Sequence, residues 1–218
     1  MGVADIFDEV NDDLRAERAG QLLRRYGAAA AVVVVLAAGG VVGYQAWRDH
    51  QAKQNEVVAS GYMAAAKAGA AGQAALDQIA ATGPAGYSAL AYLQGGAVRA
   101  AANDLPGALA QWDALANAPA ADPLLRDLAS LLWAQRQTDT GPADAILSRL
   151  QPLTAPTNPW RALALETQAW VMLRQGQTEQ ARLVLAGLVA DAAAPEGVRG
   201  RANAMLAGLP TPGPGKGG

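Results

Sequence analysis

The chain contains no cysteine, which excludes disulfides, thiolate metal sites and a thiol nucleophile. It has one histidine, His50, and one phenylalanine, and aromatic residues make up only 5% of it, so side chains suited to catalysis or metal binding are scarce. No Walker A pattern, HExxH or GxSxG stretch occurs, and no Gly-rich turn sits between a strand and a helix. Acidic residues are scattered singly, so an enzyme would have to work without a recognisable constellation. An excess of charge of one sign is also missing: from Gln51 onward there are 12 Lys or Arg and 12 Asp or Glu. That balance gives nucleic acid or an anionic surface no reason to bind. No window alternates apolar and polar with a period of two over strand length, so no sheet is expected. The expectation is an all-α, non-enzymatic protein with no cofactor and no metal, helped by abundant alanine.

Charge is absent altogether from Tyr26 to Trp47, YGAAAAVVVVLAAGGVVGYQAW, between Arg25 and Arg48. As a helix these residues extend roughly 33 Å, enough for a bilayer core of about 30 Å. Tyr26, Tyr44 and Trp47 lie near the two ends, where amphipathic rings prefer the headgroup region. A cleaved signal peptide fits less well, because six acidic residues precede the run and its apolar length exceeds the usual h-region. Arg15, Arg18, Arg24 and Arg25 lie ahead of the run, against Arg48 and Lys53 behind it. The positive-inside rule then expects residues 1–25 in the cytoplasm and 48–218 outside, which in a bacterium is the periplasm. Gly39 and Gly43 form a GxxxG pair, widened by Gly40, on which a second copy or another membrane helix would pack closely.

Ahead of the span, Ile6, Phe7, Val10 and Leu14 recur at helical steps in an acidic tail, either as a short helix lying near the membrane surface or docking on a partner, or as a frayed topogenic tail. Behind it, residues 48–82 read as a stalk and a degenerate first hairpin, with an apolar stripe of Val57, Val58, Tyr62 and Met63 expected to pack on the domain. Gly69 and Gly72 end the stalk, and Gly83-Pro84 ends an Ala-rich helix at 73–81. Over 83–207 helices are expected at 86–102, 106–117, 123–137, 142–151, 159–174, 178–191 and 195–207. Asp104, Asp122 and Asn158 read as N-caps beside Pro106, Pro123 and Pro159. Residues 208–218 are too rich in Gly and Pro to pack.

Short-linked helix pairs invite a test for a repeat. Aligned on Gly176, Ala169 and Ala181 occupy small positions, and Leu165, Met172, Leu185 and Leu188 large ones. Asn103-Asp104 gives the same frame, with Gly96 and Ala108 small and Tyr92, Trp112 and Leu115 large. A looser copy has Ala143 and Leu147. Ala108, Ala143 and Ala181 are separated by 35 and 38 residues, close to the tetratricopeptide period of about 34. Small residues let the helices of a pair touch, and large ones fill the groove between pairs. The reading is a TPR-like α-solenoid of helical hairpins.

The exit GGVVGYQAWRDH (Gly39 to His50), the repeat from Tyr87 to Leu115 and the pair from Ala164 to Leu188 resemble a known family. It is the membrane-anchored, tetratricopeptide-like ancillary subunit of the bacterial Sec translocon. Pro152, Pro156 and Pro159 and the Gly/Pro tail depart from that pattern. The resemblance implies an inner-membrane protein whose partners are the Sec translocon channel and a membrane-anchored periplasmic chaperone, assisting secreted and envelope proteins. A scaffold for envelope assembly or cell division is the alternative; an enzyme or small-ligand receptor is the third.

In the repeat frame, first-helix residues facing a concave side are Leu90, Leu93, Ala97, Glu166, Trp170 and Arg174. Such a face suits a partner's extended or helical segment. Trp170 reads either as a binding hot spot or as core between neighbouring helices, and Trp112 and Trp133 read as core.

Overall fold

A computed structural model describes residues 40–50, 52–53 and 55–210. The chain divides into two compact units, Met1–Glu56 and Val57–Gly218. In the first, residues 40–50 are helical, with the Tyr44 and Trp47 rings 6.1 Å apart and the Arg48 guanidinium 5.9 Å from the Tyr44 ring centre. Among the described residues, no helix is long and apolar enough to cross a membrane. Residues 26–39 of the expected span lie outside the described residues, as do the expected tail 1–25 and residues 211–218.

In the second unit every described element is helical. Residues 55–68 are helical, and the part within this unit, 57–68, is α1, followed by a 3₁₀ turn, Gly69–Gly72. Then come α2 (Gln73–Thr82), α3 (Ala85–Ala101), α4 (Leu105–Ala116), α5 (Pro123–Arg136) and α6 (Ala143–Leu150). A second 3₁₀ turn, Gln151–Thr154, leads to α7 (Arg161–Arg174), α8 (Thr178–Ala190) and α9 (Glu196–Gly208). These bounds fall within two residues of those expected from the sequence over the repeat region.

Local chemistry sets the boundaries. The Asp104 carboxylate accepts the Gly107 N–H at 3.0 Å and Asp122 accepts the Leu124 N–H at 2.8 Å, each satisfying an orphan donor of a first turn. Asn158 acts differently. Its side-chain oxygen accepts the Trp160 N–H at 2.8 Å and its amide donates to Asp127 at 2.8 Å, so it closes a turn and the helix starts later, at Arg161. Two helix ends share one design. Gly176 has φ 73° and Asn103 φ 61°, and the following N–H groups reach back from Gln177 to Met172 and from Asp104 to Arg99, both at 2.9 Å. This is the left-handed helix stop, open to Gly and tolerated by Asn.

Four apolar clusters follow one another along the chain. Ala65, Leu76, Ala80 and Ala91 join α1, α2 and α3; Ala89, Ala108, Trp112, Leu115 and Ala129 join α3, α4 and α5. Leu131, Ile146, Leu150, Leu153 and Val171 join α5, α6 and α7; Ala169, Leu185, Leu188, Val198 and Ala202 join α7, α8 and α9. Each cluster shares a helix with the next, which is how a solenoid makes a continuous core from local contacts. The small positions Gly96, Ala108, Ala169 and Ala181 are all buried.

Two expectations need correction. In α6 the innermost residues are Ile146 and Leu150, fully buried, while Ala143 and Leu147 pack beside them. The helix has only 8 residues, and its apolar face centres on the 146/150 row rather than the 143/147 row. In α1 the domain contact is made by Ala65 and Tyr62, whereas Val57 and Met63 are exposed; positions 62 and 65 share a helical face that 57 and 63 do not. The middle pair is fastened by Arg149, which pairs with Asp113 of α4 and lies 4.1 Å from the Trp133 ring centre, a cation–π contact.

Candidate functional site

Helix α7 touches α6 and α8, its neighbours in sequence, and also α5 and α9. Its small and branched residues face the two adjoining clusters: Ala164 and Val171 toward α5 and α6, Ala162 and Ala169 toward α8 and α9. A third face is left over, carrying Leu163, Glu166, Thr167 and Trp170 at three- and four-residue steps. With Gln135 of α5, the following Thr138, and Arg201, Ala204 and Met205 of α9, that face lines a hollow of about 550 Å³. Trp170 is 52% exposed there. Since a tryptophan ring is normally well buried, its exposure favours a contact surface over a core role.

Glu166 is the one acidic residue lining the hollow, and it is buried. Its Oε1 accepts from Arg201 Nε at 2.6 Å and its Oε2 from Nη2 at 2.7 Å, a two-pronged charge-assisted pair. The hydrogen bonds to Glu166 raise the pKa of Arg201 above its ordinary value, against a smaller opposing effect of burial. The Thr167 hydroxyl donates to the Leu163 carbonyl at 2.7 Å and so is committed to its own helix. One turn beyond Trp170, Arg174 donates to the carbonyls of Gly141 at 2.6 Å and Gln137 at 3.4 Å. These bonds tie the end of α7 to the residues after α5, and among the described ion pairs no carboxylate offsets the Arg174 charge.

Of the six concave-face residues named from the sequence, the structure brings Glu166 and Trp170 into one hollow, with Arg174 just beyond it. Leu90 and Ala97 are exposed on α3 and do not line the hollow. Leu93 is half-buried against the Trp112 cluster, and its carbonyl accepts the Trp112 indole N–H at 3.3 Å. Gly40 and Gly43 are exposed, with nothing near the position of a β-carbon; Gly39 lies outside the described residues. Sequence reasoning missed Gln135, Thr138, Leu163, Thr167, Arg201, Ala204 and Met205. A signal for the last three existed: the closing helix occupies the place of a further first helix, so its inward residues belong on the same face as those of α7. Among the described residues no group of three or more His, Asp or Glu side chains is placed to hold a metal.

Short-linked helix pairs stacked about shared cores, with an open face along alternate helices, define a helical-repeat interaction scaffold. The chain belongs to a family described as tetratricopeptide repeat-like domain, whose model matches residues 21–193. No curated protein and no solved structure matches it. The matched range takes in the uncharged run from Tyr26 to Trp47 as well as the repeats. A fold of this kind generally serves protein–protein interaction rather than catalysis.

Proposed function

We propose that the protein is a membrane-anchored, periplasmic partner-binding subunit of the bacterial inner membrane. In this reading it associates with the Sec translocon channel and a membrane-anchored chaperone and assists secreted and envelope proteins as they emerge. The observation that carries the partner-binding reading is Trp170, half-exposed in a hollow formed by three alternate helices of a tetratricopeptide repeat-like domain. The uncharged run at 26–47, inside the family match, supports the anchor, and the arginines before it support the orientation. Gly39, Gly40 and Gly43 offer a close-packing face to a channel or chaperone helix, or to a second copy.

Photocrosslinking in cells from probes placed at Val41 and Trp170 tests the reading. Channel subunits captured at Val41, and chaperone or emerging chains at Trp170, are the expected products. Capture of division or envelope-assembly components at both positions would move the assignment to a scaffold. A reporter active only in the cytoplasm, fused after Gly218, is expected to be silent; its activity would overturn the orientation.

A further inference from the structure

The hollow on α7 has a defined electrostatic face. Glu166 and Arg201 form a pair, but they are not equally presented: the Glu166 side chain is 8% exposed and that of Arg201 56%. The carboxylate lies beneath the guanidinium, and only two of the five guanidinium N–H groups are used on it. Arg174 adds a second exposed guanidinium with no carboxylate on it. Positions 166, 170 and 174 recur every four residues on one face of α7, so Arg174 lies about 12 Å along the axis from the Glu166–Arg201 pair, with Trp170 midway. Outward, the site presents guanidinium, indole, guanidinium.

We propose that this face recognises acidic peptide segments that carry a large apolar side chain, with the apolar group seated on Trp170 and carboxylates meeting Arg201 and Arg174. The proposal rests on the reading of the hollow as a partner surface and names the chemistry of that partner. A purely apolar segment covering this face would strip water from two cationic groups and offer no acceptor to the N–H groups not already used on Glu166, Gly141 and Gln137. A basic segment would meet like charge first and would reach Glu166 only by displacing Arg201. An acidic segment meets both guanidinium groups with the acceptors they are shaped to bind.

The test uses the full chain in detergent micelles and fluorescence anisotropy with three labelled peptides of form Gly-Ser-X-X-Phe-X-X-Ser-Gly. X is Glu, Gln or Lys, so the apolar anchor is constant and only charge changes. The Glu peptide is expected to bind about tenfold more tightly than the Gln peptide at about 50 mM salt, with the Lys peptide weakest, and the difference to shrink at about 500 mM. Arg174→Gln is expected to weaken the Glu peptide about fivefold without changing the Gln peptide, and an unchanged circular-dichroism melt shows that the variant is folded. Trp170→Ala weakens both peptides. Equal binding of the Glu and Gln peptides, preference for Lys, an Arg174→Gln variant that loses nothing, or no binding up to about 1 mM each overturns the proposal. Crosslinks from Trp170 combined with charge-blind peptide binding would remove this inference and leave the partner surface standing; no crosslinks at all would remove both.

Discussion

Helices α3 and α7 begin equivalent pairs in the repeat, yet one is sealed and the other open. On α3, the second-helix residue Trp112 closes the pair: its ring is 2% exposed, fits against Gly96, and donates its indole N–H to Leu93. On α7, a tryptophan sits on the first helix itself, turned outward, while the small positions of the pair, Ala169 and Ala181, are fully buried. The same residue type therefore does opposite work according to which helix of the pair carries it. A ring on the second helix can fill the space between helices. One on the open face of the first is only half covered by the described residues.

The largest effect separates those two rings. Trp112→Ala removes a fully buried aromatic side chain and is expected to cost about 4 kcal/mol in urea unfolding, in the range for such truncations. Trp170→Ala is expected to cost about half as much, roughly 2 kcal/mol, because half of its surface already faces water, while weakening the binding of both peptides described above. Similar costs at both positions would mean that Trp170 is core, and the contrast would collapse.

Gly96 sharpens the point. A β-carbon there would stand 2.4 Å from the Trp112 Nε1 and 2.6 Å from the adjoining ring carbon. Gly96→Ala is therefore expected to destabilise by about 2 kcal/mol, as overpacking does, despite the better helix propensity of alanine. Gly200 in α9 has nothing within 4 Å of that position, so Gly200→Ala is expected to stabilise by roughly 0.5–1 kcal/mol from propensity alone. Opposite signs in the same unfolding assay would show that the seal at α3, not glycine content in general, makes the difference.

How much of this could be read from the residues follows the range of the interactions. Helix starts at Asp104 and Asp122 were legible because an N-cap acts over two or three residues. The small-and-large frame was legible because repeat packing imposes a short period, and it located Gly96, Ala108, Ala169 and Ala181 correctly. Asn158 misled by two residues, since its amide is used on Asp127 of another helix. Arg149 stacking on Trp133 was out of reach, as was Arg201 gripping Glu166 across 35 residues of sequence. Such pairs depend on where two helices cross, and no local pattern encodes that. The concave face was thus half-visible: α7 supplied its own residues by periodicity, while α9 contributed the cation that covers Glu166.

Acid tests the comparison most gently. The seal at α3 depends on Trp112 and Gly96, which do not titrate, whereas α7 is tied to the end of α8 by Asp191. That carboxylate accepts the Ala193 N–H at 2.9 Å and Arg161 Nη1 at 2.6 Å. The backbone bond first, and Arg161 second, hold its pKa below the ordinary carboxylate value. A depressed folded pKa means that the ionised form stabilises the fold. The contribution is fully present above the unfolded value of about 3.9 and is lost as pH falls through that value toward the lower folded one. Hydrogen exchange followed downward from about pH 5 should therefore show α7 and α8 losing protection before the α3–α4 pair, after correction for intrinsic rates. Asp191→Asn should begin slightly less protected at neutral pH, because solvent and salt screen much of the charge, and should converge with the native chain once pH falls below the lowered folded pKa of Asp191. Parallel pH profiles for the two chains would show that the Asp191 contact is too weak to matter; α3 and α4 opening first would reverse the order of the two regions.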